Sequence, residues 1–86
     1  MRSVTTRSFR DAFRGLPEEI RERARKAYRL YRRTPSHPSL HFKIVNPRDS
    51  LCSVRVSLGY RALGRLDGNV IVWFWIGPHD EYDKRL

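Results

Sequence analysis

The run Val70-Ile71-Val72-Trp73-Phe74-Trp75-Ile76 is apolar at every position, and it constrains the fold more than any other stretch. Buried backbone N–H and C=O groups must pair, and a strand with apolar side chains on both faces needs cover on both. The run therefore predicts a central strand with a partner on each side, stopped by Gly77-Pro78. Asp67-Gly68 just before it is the strongest hairpin signal in the chain. It points back to a strand over Tyr60–Leu66. Gly59 marks a turn or bulge before that strand. Leu51–Leu58 alternates, with Cys52, Val54, Val56 and Leu58 on one side and Ser53, Arg55 and Ser57 on the other. Leu40–Val45 alternates as well and is closed by Asn46-Pro47-Arg48-Asp49, a turn composition.

The N-terminal third follows a different period. After a short β-branched stretch at Val4–Thr6, Ser8 is placed to cap a helix whose Phe9, Ala12 and Phe13 share a face and which Gly15 ends. Pro17 suits the first turn of a second helix, and Glu18 and Glu19 complement its positive end. Ile20, Ala24, Ala27, Tyr28 and Tyr31 recur at 3.6-residue spacing and are expected to face the core. Glu19–Arg23 and Glu22–Lys26 are spaced as favourable pairs. The helix is expected to run to Arg33, where Thr34-Pro35-Ser36-His37-Pro38-Ser39 breaks it. The expected fold is α+β, in one domain over residues 1–86. It has a short N-terminal strand and two helices packed on one face of a curled, mostly antiparallel four-stranded sheet.

Eighteen Lys and Arg against nine Asp and Glu give a net charge of +9. Residues 1–33 hold 11 of the bases and 4 of the acids, so most of the field comes from the helical part. Such a field concentrates polyanions in a salt-sensitive way. Arg21, Arg25, Arg29 and Arg32 form a stripe beside the apolar arc and, with Lys43 and Arg55, are candidates for nucleic-acid contact; for any single Arg a solvated helix face is the plainer reading. At 40% hydrophobic and 12% aromatic the chain is no disordered basic tail. No apolar run reaches the roughly 18 residues of a membrane span. The N-terminus has no apolar signal core, so a cytoplasmic location with no membrane partner is expected. The single cysteine, Cys52, cannot close an internal disulfide and reads as a small buried hydrophobe.

Three places carry chemistry-bearing residues. Arg61, in Gly59-Tyr60-Arg61, would offer a phosphate a guanidinium fixed on a strand, unless Asp67 or Asp80 pairs with it. His79, Asp80 and Tyr82 follow the last strand, where rigid scaffolds often hold functional groups; a histidine there can exchange a proton near neutral pH. His37, His41 and Lys43 surround the Leu-His-Phe-Lys segment, with His41 and Lys43 expected on one strand face. The His37–His41 spacing and the absence of companion thiols argue against zinc.

The Gly-Tyr-Arg of the penultimate strand, the Ile-Gly-Pro-His after the last one, the following Tyr and the element order together resemble the RelE/ParE superfamily of bacterial type II toxin–antitoxin toxins. The resemblance covers nearly the whole chain and implies a RelE-like fold. It implies a ribosome-dependent mRNA endoribonuclease that inhibits translation with no metal and no cofactor. Arg61 would hold the phosphate, His79 would act as general acid, and Tyr82 would stack or assist proton transfer. Asp80, Lys43 and His41 stay open as general base, with Lys43 and Arg55 as further charge stabilisers. The acidic Asp80-Glu81-Asp83 departs from the basic C-terminal segment of RelE. A ParE-like toxin inhibiting DNA gyrase without cutting RNA is the alternative, and a basic nucleic-acid-binding module without chemistry is the plainest one. Either toxin implies a cognate acidic antitoxin.

Overall fold

In the computed structural model, residues 2–84 are described. They form β1 (Arg2–Thr5), α1 (Arg7–Arg14), α2 (Glu18–Arg33), a 3-10 turn at Pro38–Leu40, β2 (Lys43–Asn46), β3 (Leu51–Ser57), β4 (Tyr60–Asp67), β5 (Val70–Pro78) and α3 (His79–Lys84). The strands make one sheet in the order β1-β5-β4-β3-β2. The all-apolar β5 is thus interior, as its composition requires. Four strands run antiparallel in sequence order, and Gly68 takes the left-handed φ of 60° in the β4–β5 hairpin.

The sheet has five strands rather than four, because the N-terminal strand joins it. β1 pairs in parallel with β5, Arg2 beside Val70 through Thr5 beside Trp73. A four-residue edge strand has too little apolar periodicity to announce its pairing. Its place is fixed by long-range bonds, among them Trp73 Nε1 donating to Ser3 Oγ at 2.8 Å. The first helix starts earlier than its sequence suggests. Thr6 is its cap, its Oγ1 accepting from Phe9 N at 3.1 Å, while Ser8 lies inside the helix and donates to Phe74 O.

α2 begins after Pro17, whose carbonyl accepts from Ile20 N and Arg21 N, and ends at Thr34 N bonded to Leu30 O. Ala24 and Tyr31 are buried on its inner face. Tyr28, expected inside, is 37% exposed. Glu22 pairs with Arg25 at 2.9 Å. Glu18, hydrogen-bonded and ion-paired to Arg21, has its carboxyl held below the usual range.

The sheet is covered on both faces. On the helical side Tyr31, Leu40, Val54, Ile71, Trp73 and Ile76 make the main core, with Tyr31 meeting Trp73 edge-on at 5.5 Å. Truncating a buried aromatic of this kind costs about 3–5 kcal/mol. On the other side Leu63, Trp75 and Tyr82 form a smaller cluster with Val45 and Phe74 beneath α3. The polar segment after β5 forms α3, docked by its one apolar residue, Tyr82. Leu58, expected on the buried side of its strand, is 84% exposed. A register shift between Arg55 and Ser57 ends the alternation and leaves Leu58 in the turn before β4.

Candidate active site

The register of the three longest strands builds the site. Arg55 of β3 lies directly opposite Arg61 of β4, and Arg61 lies opposite Gly77 of β5. Arg55, Arg61, Ser53 and Leu63 share the face that α3 partly covers. Like charges directly opposite on neighbouring strands are destabilising, so two facing guanidiniums need a reason.

Each has a neighbour, but among the described residues neither has an anion. The Arg61 guanidinium carbon stands 5.5 Å from the centroid of the Tyr82 ring. Its Nη1 is buried and has no hydrogen-bond partner among the described residues. Among the described residues neither Arg55 nor Arg61 forms an ion pair, so Asp67 and Asp80 do not neutralise Arg61. Arg55 Nη1 lies 3.3 Å from His41 Nε2, a contact in which the guanidinium donates and the imidazole accepts.

Tyr82 is 3% exposed and donates its hydroxyl to Ser53 Oγ at 3.3 Å. The His79 ring centroid is 5.3 Å from that of Tyr82. His79 N donates to Gly59 O at 2.8 Å, which ties the first residue of α3 to the β3–β4 turn. Arg61, His79 and Tyr82 therefore gather around one ring, with Arg55 beside them. A half-buried guanidinium with one buried, unused donor, next to an exposed imidazole, can hold an oxyanion and exchange a proton with an atom bonded to it.

The remaining candidates lie at varying distances from this cluster. Lys43 is opposite Ser53 in the β2–β3 register and so falls on the same face, at the sheet edge. His41 is not on a strand: it caps the 3-10 turn with φ 47° and reaches the site through Arg55. Asp80 is exposed in the first turn of α3. The stripe on α2 is not brought to the site. Arg21 and Arg25 are paired to Glu18, Arg25 also lies over Phe13, Arg32 lies over Tyr28, and the whole helix packs on the opposite side of the sheet. Two residues escaped the sequence reading. Ser53 anchors Tyr82, and Arg65, stacked 5.5 Å over Phe74, adds a cation to the α3 side. The period-two spacing of Arg61, Leu63 and Arg65 was the available signal for the second.

The helical side holds a groove of about 380 Å³ between α1 and α2. Phe9, Phe13, Tyr28, Trp73 and Ile76 line it, and Arg10, Arg25 and Arg29 also contribute to its wall. Among the described residues no three His, Cys, Asp or Glu side chains come together as a metal-ligand set. No helix among them is long and apolar enough to cross a membrane.

These features, a five-stranded mixed sheet with two N-terminal helices behind it and a cation–imidazole–tyrosine cluster at the C-terminal end of β5, define a small RelE-type toxin fold. The family model of the ParE-like toxin domain matches residues 18–84. The chain belongs to that family and, within the RelE/ParE superfamily, is a toxin of a toxin–antitoxin system. No curated protein matches it in sequence. Solved structures are similar in fold. The RelB–RelE complex of Methanococcus jannaschii is 14% identical, with a TM-score of 0.76 over 96% of this chain and 98% of that one. The YoeB/ParE toxin of Agrobacterium tumefaciens is 19% identical, with a TM-score of 0.70 over 92% and 99%. The isolated RelE toxin of E. coli is 18% identical, with a TM-score of 0.68 over 98% and 96%.

Proposed function

We propose that this toxin is a metal-independent endoribonuclease that cuts mRNA on the ribosome and so stops translation in the cytoplasm. The observation that carries the reading is the buried, unpartnered Nη1 of Arg61 beside His79 and Tyr82. In the reaction the ribose 2′-oxygen attacks the adjacent phosphorus and the bond to the 5′-oxygen breaks, leaving a 2′,3′-cyclic phosphate and a 5′-hydroxyl. Arg61, with Arg55 alongside, binds the non-bridging oxygens and stabilises the charge they gain in the transition state. His79 gives its proton to the departing 5′-oxygen. Tyr82, buried beneath them, holds Arg61 and His79 in place. The proton of the 2′-hydroxyl goes to a base drawn from Asp80, Lys43 and His41.

A second reading is favoured by the family match, whose name is ParE-like: a toxin that inhibits DNA gyrase without chemistry. Ribosomes programmed with a defined mRNA, and a gyrase supercoiling assay run beside them, separate the two. New mRNA ends with supercoiling untouched support the nuclease; intact mRNA with blocked supercoiling replaces it.

RelB antitoxins accompany the RelE structures from M. jannaschii and E. coli. For this chain the partner is an acidic antitoxin whose amphipathic segment lies in the groove between α1 and α2, apolar side down and carboxylates toward Arg10, Arg25 and Arg29. A neighbouring small acidic open reading frame should rescue growth, and Arg10→Glu with Arg29→Glu should weaken the complex. Full affinity in that double variant would move the antitoxin to another surface.

A further inference from the structure

A second feature on the site's flank is built by the linker after α2. Pro35 and Pro38 fix two backbone φ angles. His37 Nδ1 accepts from Ser39 N at 3.2 Å and starts the 3-10 turn. Leu40, 1% exposed, nails the turn into the core. His41 then takes a left-handed φ of 47°, a conformation that costs a non-glycine residue about 1 kcal/mol and is found chiefly where side-chain placement matters.

The result is a cleft of about 400 Å³ lined by Pro35, Ser36, His37, Pro38, His41 and Phe42. Its lining combines flat rings with hydrogen-bonding edges and contains no carboxylate. Single-stranded RNA is read by this combination, bases stacked on rings and bonded along their edges. The cleft is linked to the cation pair through His41, which is both a wall of it and the acceptor of Arg55 Nη1. Arg55 in turn faces Arg61 across the strands.

We infer that this cleft seats a nucleobase of the RNA strand whose phosphodiester Arg55 and Arg61 hold. It rests on the nuclease reading above and adds to it the place where base preference is decided. His41 joins the two subsites, so base and phosphate bind as one unit. Phe42 is held by its 6.2 Å stacking on Tyr31 and supplies a rigid floor.

The test uses the whole chain and the imidazole C–H resonances of His37, His41 and His79. The ligands are inorganic phosphate, ribose 5-phosphate and the 2′-O-methyl dinucleotides, which cannot be cleaved. Phosphate should move His79 and leave His37 still. The dinucleotides should move His37 and His41 as well, and bind tighter than ribose 5-phosphate by about tenfold or more, the gain a stacked base brings. Their ranking by base should change in His37→Asn, a variant that keeps a side-chain acceptor for Ser39 N. A dinucleotide that moves His79 with His37 silent overturns the cleft and spares the nuclease reading. A response at His37 with none at His79 overturns the link between the subsites. Silence of His79 toward every ligand overturns the nuclease reading itself.

Discussion

Arg61 and Tyr82 depend on one another: the guanidinium stands 5.5 Å over a phenol ring that is itself pinned by Ser53. The side chain we propose to meet the phosphate is thus positioned by the helix beyond the last strand. Docking of α3 and readiness of the site are one event.

Removing the phenol hydroxyl separates packing from pinning. Tyr82→Phe keeps the ring under Arg61 and loses the bond to the buried Ser53 hydroxyl. It should cost about 1 kcal/mol. Tyr82→Ala removes the one apolar anchor of α3 and should cost about 3 kcal/mol or more. Urea unfolding of both variants measures the difference, and equal losses would mean that the ring contributes nothing to docking.

Arg61 is a liability to the fold. Its unsatisfied buried Nη1 costs about 1–3 kcal/mol, whereas its contact with the Tyr82 ring returns about 0.5–1 kcal/mol. The cost is the larger, and repulsion from Arg55 adds to it. Arg61→Met should therefore unfold at a higher temperature than wild type while losing phosphate-dependent stabilisation, which follows RT ln(1 + [L]/Kd). A thermal melt with and without inorganic phosphate reads both effects.

Gly77 leaves room for Trp75. A Cβ at this position would lie 2.6 Å from Trp75 Cζ2, closer than real contacts allow. Trp75 is 7% exposed and wedged with Leu63 and Tyr82, so it cannot swing clear. Gly77→Ala should cost about 1–3 kcal/mol as overpacking does. Since Gly77 pairs with Arg61, cleavage should fall as well; a stability loss with full activity would show that Arg61 is insensitive to the strand behind it.

Much of this was legible in advance, and what was not has identifiable physical causes. The apolar β5 run, the Asp67-Gly68 hairpin and the end of α2 are local patterns and formed where local chemistry placed them, but β5 runs on through Gly77 and Pro78, expected to stop it, because both pair with β4. Arg61, His79 and Tyr82 were named from spacing and family resemblance, but their convergence on one ring depends on register across β3, β4 and β5. What escaped was decided by tertiary contacts. β1 is held by pairing to a strand nearly seventy residues away. α3 folds around one tyrosine. His41 leaves the strand because the turn anchored by Leu40 reverses the backbone before β2 begins.

Cys52 gives an alkaline marker for the helical core. It is wholly buried, and burial pushes its thiol up from 9.0 to about 11. The folded chain therefore holds the proton more tightly than the unfolded one. Stability from this group is complete below about pH 9 and is lost as pH rises toward 11. Cys52→Ser should flatten that alkaline arm in urea titrations, and a disulfide reagent at pH 8 should label Cys52 only at the rate of unfolding.

The most direct test is the single-turnover rate of mRNA cleavage on ribosomes, for wild type, Arg61→Ala and His79→Ala, each first shown to be folded by its melt. Loss of a positioned acid lowers such a rate by about 10²–10⁴-fold, and the account predicts a fall of that order for His79→Ala, with a comparable fall for Arg61→Ala. Wild-type rates in either folded variant would contradict it.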